Sequence, residues 1–91
     1  MTKEKVLSVV KEYQSSLDKA NIMSSAYPHD RYPQTKEEVL GHCRYMLDQI
    51  EVFLEEDKTE KAMRWLGFIQ GCLWCHGFFT VDSMKEHNKP Q

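Results

Sequence analysis

The sequence contains few residues that break helices and no apolar run long enough to cross a membrane. Its 91 residues include only four glycines and three prolines, so a helix can continue through long stretches without interruption. A membrane-spanning helix needs about 20 consecutive apolar residues, and every apolar run in this sequence is much shorter. The composition therefore predicts no membrane partner and favours one small helical domain over residues 1–91.

The number of cysteines and the net charge are also low. Three cysteines, an odd number, do not make the disulfide framework of a small secreted protein and favour a reducing compartment. The segment after Met1 lacks the apolar core of a signal peptide, which also predicts a cytoplasmic location. A net charge of −2 gives no overall basic field, and this disfavours nucleic acid as a partner.

Apolar residues recur at helical spacing in most of the chain. The predicted helices cover residues 3–22, 36–56, 58–78 and 81–87. Thr35 with Glu38 predicts a capping box at the start of the second helix, and Asp57 with Glu60 predicts a weaker one at the start of the third. The expected fold class is all-α: a small bundle of three main helices plus a short C-terminal helix.

Some finer features follow from the same spacing. The buried stripe of the first helix extends to Ala20, and the buried side of the last helix comprises Val81 and Met84. Gly77 is expected as the C-terminal cap of the third helix.

The only long loop, residues 23–35, has the sequence MSSAYPHDRYPQT. Pro28 and Pro33 stiffen its backbone and keep the preceding tyrosines out of the helical conformation. Tyrosine and arginine are the commonest anchors of protein interfaces. Tyr27, Arg31 and Tyr32 therefore form a candidate partner-binding site, and the alternative is a plain connector whose tyrosines pack on the bundle.

The run Cys72-Leu73-Trp74-Cys75-His76 has the CxxCH spacing of c-type haem attachment. Haem is attached outside the cytoplasm, however, and the run lies inside the most apolar predicted helix. A zinc site that adds Cys43 or His42 lacks a second cysteine pair, and a catalytic thiol would need a nearby histidine and partial exposure. The prediction is two buried thiols that act as small apolar side chains, with no metal and no cofactor.

The third predicted helix is apolar around most of its circumference, and two other helices cannot cover all of it. Gly67 and Gly71, one turn apart, leave a flat strip where another backbone can approach closely. A second copy of the chain would cover this strip, which predicts a homodimer. The expected self-association residues are Trp65, Gly67, Phe68, Gly71, Trp74 and Phe78.

Two sets of charged residues suggest other functions. Asp48, Glu51 and Glu55 share one face of the second predicted helix, as in helical metal-dependent nucleotide hydrolases. Those enzymes carry acidic motifs on two helices, and here the next helix offers only Glu60. The basic residues Lys58, Lys61 and Arg64 suggest a weak nucleic-acid contact, but ion pairs with neighbouring glutamates account for them more simply.

The segment from Glu60 to Gly71, EKAMRWLGFIQG, resembles a group of small uncharacterised proteins encoded by tailed bacteriophages. The resemblance extends to Leu73-Trp74, Thr80-Val81-Asp82 and His87-Asn88. It implies an accessory protein made in the cytoplasm of an infected bacterium, but it assigns no activity and no site residues. The function expected from sequence is a small non-enzymatic interaction module that binds and modulates a host protein.

Overall fold

The structure, a computed structural model, describes residues 1–90 and contains four helices. These are α1 (Lys3–Lys19), α2 (Lys36–Glu55), α3 (Thr59–Cys75) and α4 (Val81–Asn88). The predicted all-α fold with three main helices and a short C-terminal helix is confirmed. Gln91, the last residue of the predicted domain, lies outside the described residues. None of the helices within residues 1–90 is long and apolar enough to span a membrane.

A threonine is the N-cap residue of three of the four helices. The hydroxyls of Thr2, Thr35 and Thr80 each accept a hydrogen bond from a backbone N–H in the first turn of α1, α2 and α4. At α2 the predicted capping box takes a modified form. Glu38 donates its N–H to the Thr35 hydroxyl at 3.1 Å, and its carboxylate accepts the N–H of Gln34, the residue before the cap, at 3.1 Å. These bonds pair backbone donors that the helix itself cannot satisfy.

Each of three helices is followed, two residues later, by a residue with positive φ. This explains why α1 and α3 end earlier than predicted. Asn21, Asp57 and Gly77 have φ values of 61°, 59° and 76° after α1, α2 and α3. The N–H of the next residue then reaches back to a helix carbonyl, as when Ile22 donates to Leu17 O at 3.0 Å. This is the Schellman arrangement, and it stops α1 at Lys19 and α3 at Cys75.

Three of the detailed sequence predictions were wrong. Asp57 does not cap α3, because it lies in the left-handed turn that ends α2, and Lys58 precedes α3 without a side-chain cap. Ala20 is exposed, since α1 has already ended. Val81 is 50% exposed, and Met84 alone is buried on α4.

The hydrophobic core lies where α2 packs against both α1 and α3. Its fully buried large side chains are Val6, Val10, Tyr13, Leu17, Leu40, Cys43, Leu47, Ile50, Leu66, Ile69 and Leu73. This arrangement leaves one side of α3 without a covering helix, and it also supports the loop that precedes α2.

A polar network attaches α4 to the bundle. The buried Tyr13 hydroxyl lies 2.8 Å from Nδ1 of His87 and accepts a hydrogen bond from Nε2 of Gln70 at 3.0 Å. Gln70 and Asn88 exchange two further bonds, of 2.7 and 3.2 Å. These hydrogen bonds give structural roles to Tyr13, Gln70, His87 and Asn88.

Candidate functional site

The loop of residues 23–35 is held against the first turns of α2 by hydrogen bonds that two of its backbone N–H groups donate. Ser25 donates its N–H to the carbonyl of Gly41 at 3.0 Å, and Tyr27 donates its N–H to Nδ1 of His42 at 3.0 Å. Gly41 makes this approach possible, since a Cβ there would lie 3.0 Å from the carbonyl oxygen of Met23. The loop is thus held against α2 at a fixed place.

The three predicted partner-binding residues of this loop have different environments. Tyr27 is half-buried, and its hydroxyl donates to the carbonyl of Tyr32 at 2.9 Å. Arg31 is exposed, and Tyr32 is 87% exposed. Tyr27 therefore shapes the loop, whereas the side chains of Arg31 and Tyr32 extend into solvent, where a partner would meet them.

Two adjoining clefts lie between the loop, α2 and α3, and we call them together the loop groove. The first has a volume of about 280 Å³ and the second about 270 Å³. Both are lined by His29, His42 and Phe68. The first is also lined by Tyr27, Pro28, Arg31, Pro33, Glu38, Val39 and Cys72. The second is also lined by Met46, Arg64 and Trp65.

Two histidines lie at the junction of the clefts. The rings of His29 and His42 are 6.3 Å apart between centroids, and His42 stacks on Tyr45 at 5.9 Å. Partial burial lowers the pKa of His42, and the neighbouring His29 lowers it further. His42 is therefore favoured as the neutral ring, the form whose Nδ1 accepts the Tyr27 N–H.

One carboxylate, that of Glu38, lines the groove, and it is already well satisfied. Its oxygen accepts hydrogen bonds from the N–H of Gln34 at 3.1 Å and from the hydroxyl of Thr35 at 3.3 Å. The nearby Tyr27 hydroxyl lowers the pKa of the Glu38 carboxyl, and the bonds from Gln34 and Thr35 act in the same direction. Glu38 is thus an ionised part of the α2 cap.

The thiols of the CxxCH run lie in different places, contrary to the prediction that both are buried. Cys75 is exposed, and Cys72 is half-buried in the wall of the groove. The buried Cys43 thiol of α2 is a neighbour of Cys72, and it lowers the pKa of the Cys72 thiol. His76 is the C-cap of α3. Among residues 1–90, no three histidine, cysteine or carboxylate side chains are grouped to hold a metal.

The uncovered side of α3 carries four of the six residues predicted for self-association. Gly67 and Gly71 are exposed, with no atom within 4 Å of where a Cβ would stand. Phe68 is 58% exposed and Trp74 is 55% exposed. We call Gly67, Phe68, Gly71 and Trp74 the α3 face.

Trp65 and Phe78 do not belong to that face. Trp65 is half-buried, with its ring 4.7 Å from that of Phe53 and edge-on to it. Phe78 is half-buried against the core, after the end of α3. Both aromatic residues pack within the chain.

The acidic residues of α2 bind basic and amide groups of their own chain. Asp48 accepts a hydrogen bond from Arg44 at 2.6 Å, and Glu51 lies 2.7 Å from the ammonium group of Lys11. The buried side chain of Gln14 donates to both carboxylates, at 3.0 and 3.2 Å. These two side chains thus join α2 to α1.

The three basic residues considered as a nucleic-acid contact make different interactions. Lys58 pairs with Glu56 at 3.2 Å, and the ammonium group of Lys61 lies 4.5 Å from the ring centre of Phe53. Arg64 lines the second cleft of the loop groove. The structure therefore does not gather these three cations for one ligand.

Sequence reasoning missed the groove as a unit, including His29, His42 and Val39. Its lining comes from three segments that are far apart in the chain, and no short motif connects them. One signal was available: Gly41 and His42 lie at the start of α2, and a glycine inside a helix often marks a close backbone approach.

Comparisons with protein families, with curated proteins and with solved structures find no match to this chain. The resemblance to phage-encoded proteins thus stays a prediction, and the structural basis for a function is the groove and the α3 face.

Proposed function

We propose that this protein is a small non-enzymatic interaction module that binds a segment of another protein in the loop groove. The observation that carries the proposal is the groove itself. It is a largely apolar cleft with exposed Phe68 at its edge, and hydrogen bonds from two backbone N–H groups hold its bounding loop in place. A preformed concave site with a few polar groups is the common form of a binding site, and rigidity reduces the entropy lost on binding.

The biological setting is also part of the proposal. The phage-like sequence pattern supports an accessory protein that acts in the cytoplasm of an infected bacterium and modulates a host protein. Exposed aromatic and arginine side chains around the groove, such as Tyr32 and Arg31, are typical interface anchors.

The α3 face supports a second interaction, with another copy of the chain. Gly67 and Gly71 allow close approach of a second helix, and Trp74 beside them supplies apolar area. A two-fold axis through this face would let one patch serve both copies. Phe68 lies at the border between the α3 face and the groove, so both interactions involve neighbouring surfaces.

Affinity capture from a bacterial lysate tests the interaction function. We expect the wild-type chain to retain a defined host protein that an Arg31→Ala, Tyr32→Ala variant does not retain. Both side chains are exposed, so the melting temperature of this variant should stay nearly unchanged. Lys85→Gln, an exposed charge change on α4, is the control that should capture as the wild type does. Equal capture by all three proteins would contradict the proposal.

A further inference from the structure

The two arginines that line the loop groove differ from the third arginine of the chain. Arg44 is held by Asp18 at 2.9 Å and by Asp48 at 2.6 Å. Arg31 and Arg64, by contrast, form no salt bridge with a carboxylate of residues 1–90. One lines the first cleft and the other the second. The groove therefore carries two guanidinium groups that can bind a carboxylate from outside.

The rest of the lining neutralises only one of these two positive charges. Glu38 is the only carboxylate among the lining residues, and hydrogen bonds from Gln34 and Thr35 hold it in the α2 cap. The groove is thus locally cationic on a chain whose net charge is −2. Such a local reversal of charge attracts an anionic group to this place rather than to the surface in general.

Apart from its charged residues and its histidines, the groove is largely apolar. Phe68 lies in both clefts and is 58% exposed, and the first cleft adds Pro28, Pro33 and Val39. At about 280 Å³, this cleft is slightly smaller than the range of roughly 300–1,000 Å³ that is typical of small-molecule sites. Its size suits one large side chain of a partner.

Resting on the proposed function, we infer that the loop groove recognises a peptide segment in which a large apolar or aromatic side chain is flanked by aspartate or glutamate. The apolar side chain contacts Phe68 and Val39, and the flanking carboxylates bind Arg31 and Arg64. Guanidinium groups bind carboxylates in a planar, two-pronged geometry, which gives orientation as well as affinity.

A nucleic acid fits this surface less well, although it is also anionic. A phosphate backbone needs a row of cations along its length. The groove supplies only two cations, Arg31 and Arg64. Of the nearby lysines, Lys58 pairs with Glu56, and the ammonium group of Lys61 lies over the ring of Phe53. Two cations are too few to follow a long polyanion, whereas a short acidic segment can lie within the groove.

Titration of the full chain with capped nine-residue peptides tests the inference by NMR. The first peptide has a central phenylalanine with two glutamates on each side. The second has lysines in place of the glutamates, and the third has alanine in place of the phenylalanine. We expect the first to shift the backbone amides of Val39, His42 and Phe68, with weaker binding at higher salt. The other two should bind at least about tenfold more weakly.

Matched variants connect the binding to the arginines. An Arg31→Gln, Arg64→Gln variant should bind the first peptide about tenfold more weakly, while Lys85→Gln should bind it as the wild type does. Equal binding of the lysine peptide in the groove would overturn the acidic specificity and leave the proposed function standing. If no peptide shifts the groove amides, both the specificity and the groove as a peptide site are wrong.

Discussion

The backbone N–H of Tyr27 donates a hydrogen bond to Nδ1 of His42 at 3.0 Å, and this bond joins the loop to α2. A side-chain acceptor makes the bond sensitive to protonation, because a doubly protonated imidazole has no acceptor nitrogen. The position of the loop that bounds the first cleft therefore depends on the charge of His42.

This dependence predicts loosening of the loop at mildly acidic pH. Burial and His29 lower the pKa of His42 below its usual value of 6.5. Since the pKa of His42 is lower in the folded chain, the unfolded chain binds a proton at His42 first as the pH falls. The stability that neutral His42 contributes to the fold is therefore complete above pH 6.5 and is lost as the pH falls through the folded-state pKa. The hydrogen-exchange protection factor of the Tyr27 amide should fall over that window.

A substitution and an internal reference sharpen this test. His29→Gln should move the loss of Tyr27 protection to higher pH, because one cause of the lowered pKa is removed. The Ser25 amide, which donates to a carbonyl at Gly41, is the reference that should change less. A Tyr27 protection factor that is constant down to about pH 4 would show that His42 does not control the loop.

Substitution of two glycines by alanine should have opposite effects. Alanine inside a helix usually stabilises by about 0.5–1 kcal/mol relative to glycine. Gly67 has open space where a Cβ would stand, whereas at Gly41 the Cβ would lie 3.0 Å from the carbonyl of Met23. In chemical denaturation, Gly67→Ala should raise the free energy of unfolding, and Gly41→Ala should lower it by about 1 kcal/mol. Equal gains for both would mean that the loop does not lie against Gly41.

Cys72 should be a more acidic thiol than an ordinary cysteine. The neighbouring Cys43 thiol lowers the pKa of the Cys72 thiol. In a Cys75→Ser background, the alkylation rate of Cys72 should show a midpoint below the usual thiol pKa of about 8.5. Cys43→Ala should shift this midpoint upward, towards the value of an ordinary thiol. An unchanged midpoint would rule out the Cys43 thiol as the cause.

Gly71→Leu should separate folding from self-association. No atom lies within 4 Å of where a Cβ at position 71 would stand, and leucine is a better helix former than glycine, so the fold should be retained. On the α3 face it would block close approach of a second helix. Sedimentation should show a dimer for the wild type and a monomer for this variant. Glu55→Ala, on the exposed part of α2, should leave assembly unchanged, and a monomeric wild type would refute the dimer.

The sequence predicted the helices well because their apolar spacing and threonine caps are local signals. Helix ends were predicted less well, since Asn21 and Asp57 adopt positive φ, which glycine usually provides. These two residues end their helices through a hydrogen bond from the next backbone N–H to a helix carbonyl. That bond exists only in the folded chain.

The candidate site was only partly predictable, for a different reason. Arg31 and Tyr32 were identified because their residue types stand out in a proline-containing loop. Their closeness to Phe68 and Arg64 depends on how the loop folds across α2. The hydrogen bond from Tyr27 to His42 and the close approach at Gly41 determine that path. Such contacts between distant segments leave no periodic pattern in the sequence.

Photocrosslinking in bacterial cells tests the central claim, that the loop groove binds another protein. A benzophenone amino acid in place of Phe68, which is 58% exposed at the groove, is compared with the same group in place of Val52, which is 42% exposed on α2. We expect a discrete adduct with a host protein from position 68, lost on Arg31→Gln, Arg64→Gln substitution, and none from position 52. The same adducts from both positions, or only a crosslinked dimer of this chain, would contradict it.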